Sequence, residues 1–401
     1  MSKKVGVVWD ERLAEYDFGA GHPLTPIRLQ LAMRLAADFD LLIQPNVQLL
    51  TPIEPLPPVD LLRVHDGDYI NAVIRASEIG FCLGASDRKW GFGTADVPVF
   101  SGMHEASCRI AGATLAATRA VHAGDVEHAV NLAGGLHHAM PAAASGFCVY
   151  NDVAVSIAWL LDQGVERIAY VDLDVHHGDG VQAMFWDDPR VLTISIHESP
   201  ASLFPGTGWP SEIGGSGALG TAVNIALPAG TGDQGWLRAF HAVVPDLLEA
   251  FDPQYLISQH GVDTHAQDPL ANLNLSIDCQ RMSYEAMHSW AHRYSGGKWV
   301  VVGGGGYEWL EVVPRAWTHL IAEVGGHRVD PGAELPEEFR SYVEGTYGRS
   351  APVRMTDGRN PWPRSLAEGY DRGGEVDQSI SRTRAAVFPR WGLAADEAGW
   401  L

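Results

Sequence analysis

The stretch YVDLDVHHGDG, from Tyr170 to Gly180, gathers three aspartates and two histidines around the end of an apolar, β-forming run that begins at Arg167. Charged groups at a buried strand end are costly unless they are paired or bind a metal. Asp174 and His176 are separated by one residue, so in an extended exit their side chains point the same way and can meet one cation. Asp263, at the end of another expected strand, is the best candidate for a third ligand. Two carboxylates and one imidazole leave positions open for water and substrate, as in a catalytic zinc site.

His137 and His138 form a second group. Adjacent histidines on a Gly-flanked loop would by themselves read as a capping or surface pair. Asp172 and Asp179, the spare carboxylates that bracket the metal motif, change that reading. A carboxylate bonded to an imidazole fixes its tautomer and raises its basicity, as a general base beside a cation requires. Two histidines and two spare aspartates make two Asp–His pairs. GGGGY, Gly303 to Tyr307, is followed by no Lys, Ser or Thr, which excludes a phosphate loop. Its glycines permit close backbone approach. Tyr307 then serves either as a hydrogen-bond donor to an oxyanion or as an aromatic lid on the sheet end.

Strands that alternate with helices must position these groups. KKVGVVWD, EHAVNLAGG, RIAYVDLD, RVLTISIHE, QYLISQHG and KWVVVGGGG read as strands, and apolar runs such as WVVV suit burial on both faces. HEASCRIAGATLAATRAVHAG, DVAVSIAWLLDQG and DQGWLRAFHAVVPDLLEAF read as helices, the last with an apolar stripe through Leu237, Phe240, Val244, Leu247, Leu248 and Phe251. The alternation predicts a single α/β domain with a central, mostly parallel sheet and helices on both faces. Four strand exits carry His, Asp or Tyr, and in such sheets ligands collect beyond the carboxyl ends of the strands. After Val329 the alternation fades. Residues 331–401, with a short helix at GEVDQSISRTRAAVF, read as a C-terminal extension packed on a domain of residues 1–330.

The bulk properties exclude several classes. Of the 401 residues 46% are hydrophobic and 19% charged, which suits a globular protein with ample core. A net charge of −21 argues against a broad basic face for nucleic acid; it reports solubility first and suits cationic substrates second. Cys82, Cys108, Cys148 and Cys279 lack CxxC spacing, against both a disulfide framework and a thiolate metal site. MSKKVGVVWDERL holds too short an apolar run for a signal peptide, and no later segment approaches a membrane span. The expectation is a cytoplasmic protein with no membrane or nucleic-acid partner.

LHHA, SGFCVYNDVA, YVDLDVHHGDG, FPGTG, QHGVDTHAQDPLANL and GGGGY, in this order, resemble the histone deacetylase superfamily of zinc amidohydrolases, and most closely its bacterial acetoin-utilisation branch. The resemblance implies an arginase/deacetylase-like domain and hydrolytic removal of acetyl from N-ε-acetyl-lysine, on a metabolic protein such as an acyl-CoA synthetase. It implies Zn2+, with Fe2+ as the alternative, held by Asp174, His176 and Asp263. It makes His138 the general base, oriented by Asp179, and His137 its electrostatic or proton-donating neighbour, oriented by Asp172. Tyr307 would bind the substrate carbonyl and the oxyanion. Gly146, Phe147 and Phe204 would line a narrow channel for the lysine stem. Asp96 would be a rim carboxylate for a peptide backbone, and Arg28 would lie near an acetate-release cavity. Ser195, with carbonyls around Asp172, Asp174 and His176, would hold a structural K+ or Na+. His260, Leu270 and Trp209 depart from the best-known pattern and bear on rim shape rather than chemistry. Alternatives left open are an acetylpolyamine amidohydrolase and a catalytically silent acyl-lysine binding module; a manganese ureohydrolase is disfavoured because no second cluster is visible. The oligomeric state is not legible.

Overall fold

A computed structural model describes residues 4–51, 53–82, 84, 88–364 and 369–395. Residues 1–3 of the opening segment, 365–368 within the tail and 396–401 of the expected extension lie outside the described residues. Eight strands form one sheet: β1 (Val5–Val8), β2 (Val47–Leu50), β3 (His128–Asn131), β4 (Ile168–Asp172), β5 (Val191–Glu198), β6 (Ala222–Leu227), β7 (Tyr255–Gln259) and β8 (Trp299–Val302). Their order is β2-β1-β3-β8-β7-β4-β5-β6, and every pairing is parallel. Every residue of β3, β4, β7 and β8 is buried, as strands covered on both faces must be.

Among the described residues the α-helices in chain order are α1 (Ile27–Asp38), α2 (Pro58–Leu61), α3 (Gly67–Ile79), α4 (Met103–Ala123), α5 (Asp152–Asp162), α6 (Asp179–Met184), α7 (Asp233–Phe251), α8 (Ile277–Ser295), α9 (Val313–Val324), α10 (Glu337–Tyr347) and α11 (Glu375–Val387). One set joins α3, α4 and α5; another joins α1, α9, α8, α7 and α11. The stripe read from α7 is buried at Leu237, Phe240, Val244, Leu247, Leu248 and Phe251.

Two strands escape the periodicity. β2 is a four-residue edge strand whose residues are exposed or half-buried, so it carries no apolar run. β6 closes the other edge, and Asn224 interrupts its apolar sequence AVNIAL. The four exits that carry the candidate chemistry belong to β3, β8, β7 and β4. These are neighbours at the centre of the sheet although far apart in the chain.

Beyond residue 330 the chain returns to the sheet. α11 packs on α7 and β6. Thr383 donates to the carbonyl of Asn224 at 2.7 Å and Arg384 to that of Ala242 at 2.6 Å. Buried Arg238 on α7 donates from Nε and Nη2 to the two carboxylate oxygens of buried Asp377, at 2.6 and 3.1 Å. Further back, Asp357 accepts from His265, Arg315 and the backbone of Ile277. Deleting one partner of a buried, bidentate ion pair strands the other charge, at a cost of about 3–5 kcal/mol. Asp377→Ala should therefore lower the urea midpoint and open the 369–395 segment to limited proteolysis. An unchanged midpoint and cleavage pattern would show that the pair does not hold α11 in place.

Candidate active site

Asp174, His176 and Asp263 meet at the exits of β4 and β7. Nδ1 of His176 lies 3.2 Å from Asp174 Oδ1 and 3.1 Å from Asp263 Oδ2, and all three residues are buried. Their remaining contacts fix the carboxylates. Gln259, the last residue of β7, donates to Asp174 Oδ2 at 2.7 Å and Gly305 N donates to the same oxygen at 2.8 Å. Val175 N donates to Asp263 Oδ1 at 3.0 Å. A Cβ on Gly305 would collide with Asp263 Oδ2, so the glycine lets the β8 exit close over the centre.

The electrostatics of this centre favour positive charge. Burial opposes an imidazolium at His176, yet Asp174 and Asp263 outweigh it and pull the ring up to about 10. Asp174 stays well below the usual carboxylate range in spite of its burial, because His137 and His176 stabilise its anion. Burial and the charge of Asp174 push Asp263 up to about 6. One nitrogen and two carboxylate oxygens within 4.8 Å of one another are a donor set that fits a divalent cation with neutral His176.

His137 and His138 stand beside this centre on the β3 exit. Nδ1 of His137 donates to Asp172 at 2.7 Å, and Nδ1 of His138 donates to Asp179 at 2.6 Å. The Nε2 atoms of the two rings are 3.0 Å apart. Burial opposes charge on His137, but Asp172 and Asp174 overcome it and bring the ring to about 9. Burial, then the positive neighbour His137, pushes His138 down to about 4. The two rings are thus unequal, His137 drawn toward its charged form and His138 toward its neutral one.

Several positioning residues are not picked out by the sequence reading. The Tyr170 hydroxyl donates to Asp172 Oδ2 at 2.7 Å; period-two alternation along β4 could have placed both on one face. Asp152, buried at the start of α5, accepts from the amides of Gly135 and Leu136 and from Thr114. Asn151, which caps α5 through the amide of Ala154, also donates to the carbonyls of His137 and Ala139. The histidine loop is therefore held at its backbone from α5. Asp268 accepts from the amide of Tyr307 at 2.8 Å, and burial together with Asp263 raises its carboxyl to about 8.

A small cavity opens onto His137, His138, Asp174, Phe147, Arg28 and Tyr307. Burial, with Asp263 and Asp174 nearby, holds the Tyr307 phenol well above its usual value, so it remains a donor. The Phe147 ring meets Tyr307 edge-on at 5.7 Å, and Phe204 meets His138 at 5.1 Å and His176 at 6.3 Å. Phe147 adopts φ 64°, a left-handed conformation that is strained for a bulky residue. The hydroxyl of Tyr16 donates to its carbonyl at 2.7 Å, and its ring packs on His22. Asp96 Oδ2 accepts from the amide of Gly146 at 2.9 Å, so the rim carboxylate also anchors this loop. Gly146 itself has φ 52°, and a Cβ there would strike the His138 ring. Arg28 donates to the carbonyls of Gly304 and Gly306 at 2.6 and 3.3 Å and lies over Trp317, bracing the loop that ends in Tyr307. Ser195 pairs in register with Asp172, and its hydroxyl lies 2.8 Å from His197 Nδ1. His260 is buried behind the centre, bonded to Ser258, with burial pushing it down to about 3. Trp209 is exposed. Among the described residues no helix is long and apolar enough to cross a membrane.

Residues 22–324 match the sequence model of the histone deacetylase domain. The acetoin utilization protein AcuC of Bacillus subtilis (strain 168) is 42% identical over 324 residues, covering 81% of this chain and 82% of that protein. The AcuC protein of Staphylococcus xylosus is 36% identical over 341 residues, covering 84% and 87%. Among solved structures, an HDAC homolog complexed with SAHA superposes with a TM-score of 0.82 at 30% identity, over 95% of this chain and 100% of that one. An HDAC homolog from Aquifex aeolicus gives 0.79 at 28% identity, over the same shares.

A three-residue donor set has no redundancy. Asp263→Ala should thus lose one equivalent of bound zinc relative to the unaltered protein after dialysis against Zn2+, with the circular dichroism spectrum retained. Equal zinc content in the two proteins would remove Asp263 from the metal centre.

Proposed function

Since the chain belongs to the histone deacetylase family and is a hydrolytic deacetylase, we propose that it removes acetyl from N-ε-acetyl-lysine on a protein, at the Asp174–His176–Asp263 centre. A metabolic protein such as an acyl-CoA synthetase is the target we favour. The observation that carries the reading is the meeting, at one cavity, of two imidazoles with Nε2 atoms 3.0 Å apart, each backed by a carboxylate, and a phenol, next to a buried acidic donor set. Residues 1–330 are the catalytic unit in this reading, and 331–401 an extension packed on it.

Asp174, His176 and Asp263 would hold Zn2+, or alternatively Fe2+, which when bound acidifies water and polarises a carbonyl. The protein's own groups supply the rest. Nε2 of His138 takes a proton from the attacking water while its Nδ1–H remains on Asp179. The Tyr307 hydroxyl donates to the amide oxygen and gains strength as negative charge develops there. The C–N bond then breaks, and the leaving nitrogen takes a proton from the His137–His138 pair, which Asp172 keeps oriented. Phe147 and Phe204 flank the aliphatic stem. The Asp96 oxygen not bonded to Gly146 serves a substrate backbone, and Arg28 lies beside the acetate as it leaves. Ser195 and the carbonyls of Asp172, Asp174 and His176 would hold K+ or Na+, whose chemistry suits oxygen donors.

The net charge of −21 favours a second reading, an amidohydrolase of cationic acetylpolyamines. The two part on substrate size. The unaltered protein should show higher kcat/KM for an acetyl-lysine peptide than for acetylputrescine or acetylspermidine; the reverse order would overturn the protein-deacetylase reading in favour of the second. Independently, Tyr307→Phe should retain metal and fold but lose about a hundredfold or more in kcat, as removal of one oxyanion donor does. A near-normal rate would make Tyr307 a packing residue.

A further inference from the structure

At the end of the sheet remote from the acidic centre, three histidines converge. His128 opens β3, in register with Trp299 at the start of β8, and His288 and His292 lie one turn apart on α8. The exits bearing the active-site groups leave from the opposite ends of these parallel strands. The three ring centroids are 4.9 Å apart in every pairing. Nε2 of His292 lies 3.3 Å from Nε2 of His128 and 3.1 Å from Nε2 of His288. Nitrogens bound tetrahedrally to one zinc-type ion sit about 3.3–3.4 Å apart, given metal–nitrogen bonds of about 2.0–2.1 Å.

Glu323 on α9 accepts from Nδ1 of His288 at 2.9 Å, so Nε2 is the nitrogen of that ring that can offer a lone pair to an ion. Nε2 of His292 then has at most one proton to share between two nitrogens. An imidazole whose far nitrogen is bonded to a carboxylate is also how metal-ligating histidines are oriented. Trp299 limits ring rotation by stacking on His288 (centroids 5.5 Å, planes at 23°) and meeting His128 edge-on at 5.6 Å. A carboxylate is in reach as well, with Glu127 Oε2 3.9 Å from His128 Nε2 and Oε1 3.7 Å from His292 Nδ1. The His292 side chain is 44% exposed, so an ion reaches the site from solvent.

We infer that His128, His288 and His292, with Glu127 as fourth donor, form a second divalent-metal site, separate from the acidic centre. Imidazole donors select an ion of the zinc class over Mg2+ or Ca2+. The ion clamps the start of β3 to α8 and, through Glu323, to α9. Its role is structural, so deacetylation does not depend on it.

The test uses the full chain and Zn2+ as the probe. After equilibrium dialysis the unaltered protein should hold two zinc ions, and His292→Ala and His288→Ala should each hold one while keeping full deacetylase activity. Asp263→Ala should also hold one but be inactive, and the Asp263→Ala/His292→Ala double variant should hold none. Added Zn2+ should raise the melting temperature of Asp263→Ala and leave that of the double variant unchanged. His292 is half in solvent, so its replacement spares the core. Undiminished zinc in His292→Ala, or no zinc in Asp263→Ala, would overturn the assignment.

Discussion

Everything around the strand exits answers to one constraint: five carboxylates, Asp172, Asp174, Asp179, Asp263 and Asp268, are buried together there. Left alone, each would be strongly penalised by the loss of water. The fold resolves them in three different ways. Asp172 and Asp179 each face an imidazole. Asp174 and Asp263 share His176 and lean on amide donors from β7, β8 and the β4 exit. Asp268, whose carboxyl is pushed upward by burial and by Asp263, uses its oxygens to hold the amides of Leu270 and Tyr307. The unequal imidazoles and the un-ionised phenol follow from that distribution of charge.

The same constraint explains what was legible in the chain. Asp and His crowded behind an apolar run are improbable without a reason, so YVDLDVHHGDG, LHHA and QHGVD announce themselves. The Asp–His spacing in the first of these needs only strand geometry to suggest a shared ligand. The positioning layer is quieter. Gln259, Asn151 and Asp152 act through hydrogen bonds made from ordinary positions at a strand end and a helix start, and nothing in their local pattern distinguishes them from caps. Asp96 reads as a rim carboxylate, but its bond to the amide of Gly146 is a contact across fifty residues that no periodicity reports. β2 and β6 fail for the opposite reason: one is too exposed and short, the other too interrupted, for an apolar run to reveal them.

The centre of the sheet also has a temporal side. β3 pairs with β8, and β8 with β7, so the last strand to be made inserts between two that are already waiting. Contacts of such long sequence separation carry a large loop-closure entropy and slow the search for the native state. A nascent chain that has completed β7 and its exit already owns His137, Asp174 and Asp263, yet its sheet is split by a gap along the facing edges of β3 and β7. Those edges are apolar and unpaired until WVVV arrives, which makes the half-made protein a template for aggregation on or off the ribosome. The strand that delivers Tyr307 is therefore also the one that seals the sheet, and a chain interrupted before it would be a sticky intermediate, with no weakened enzyme among its products.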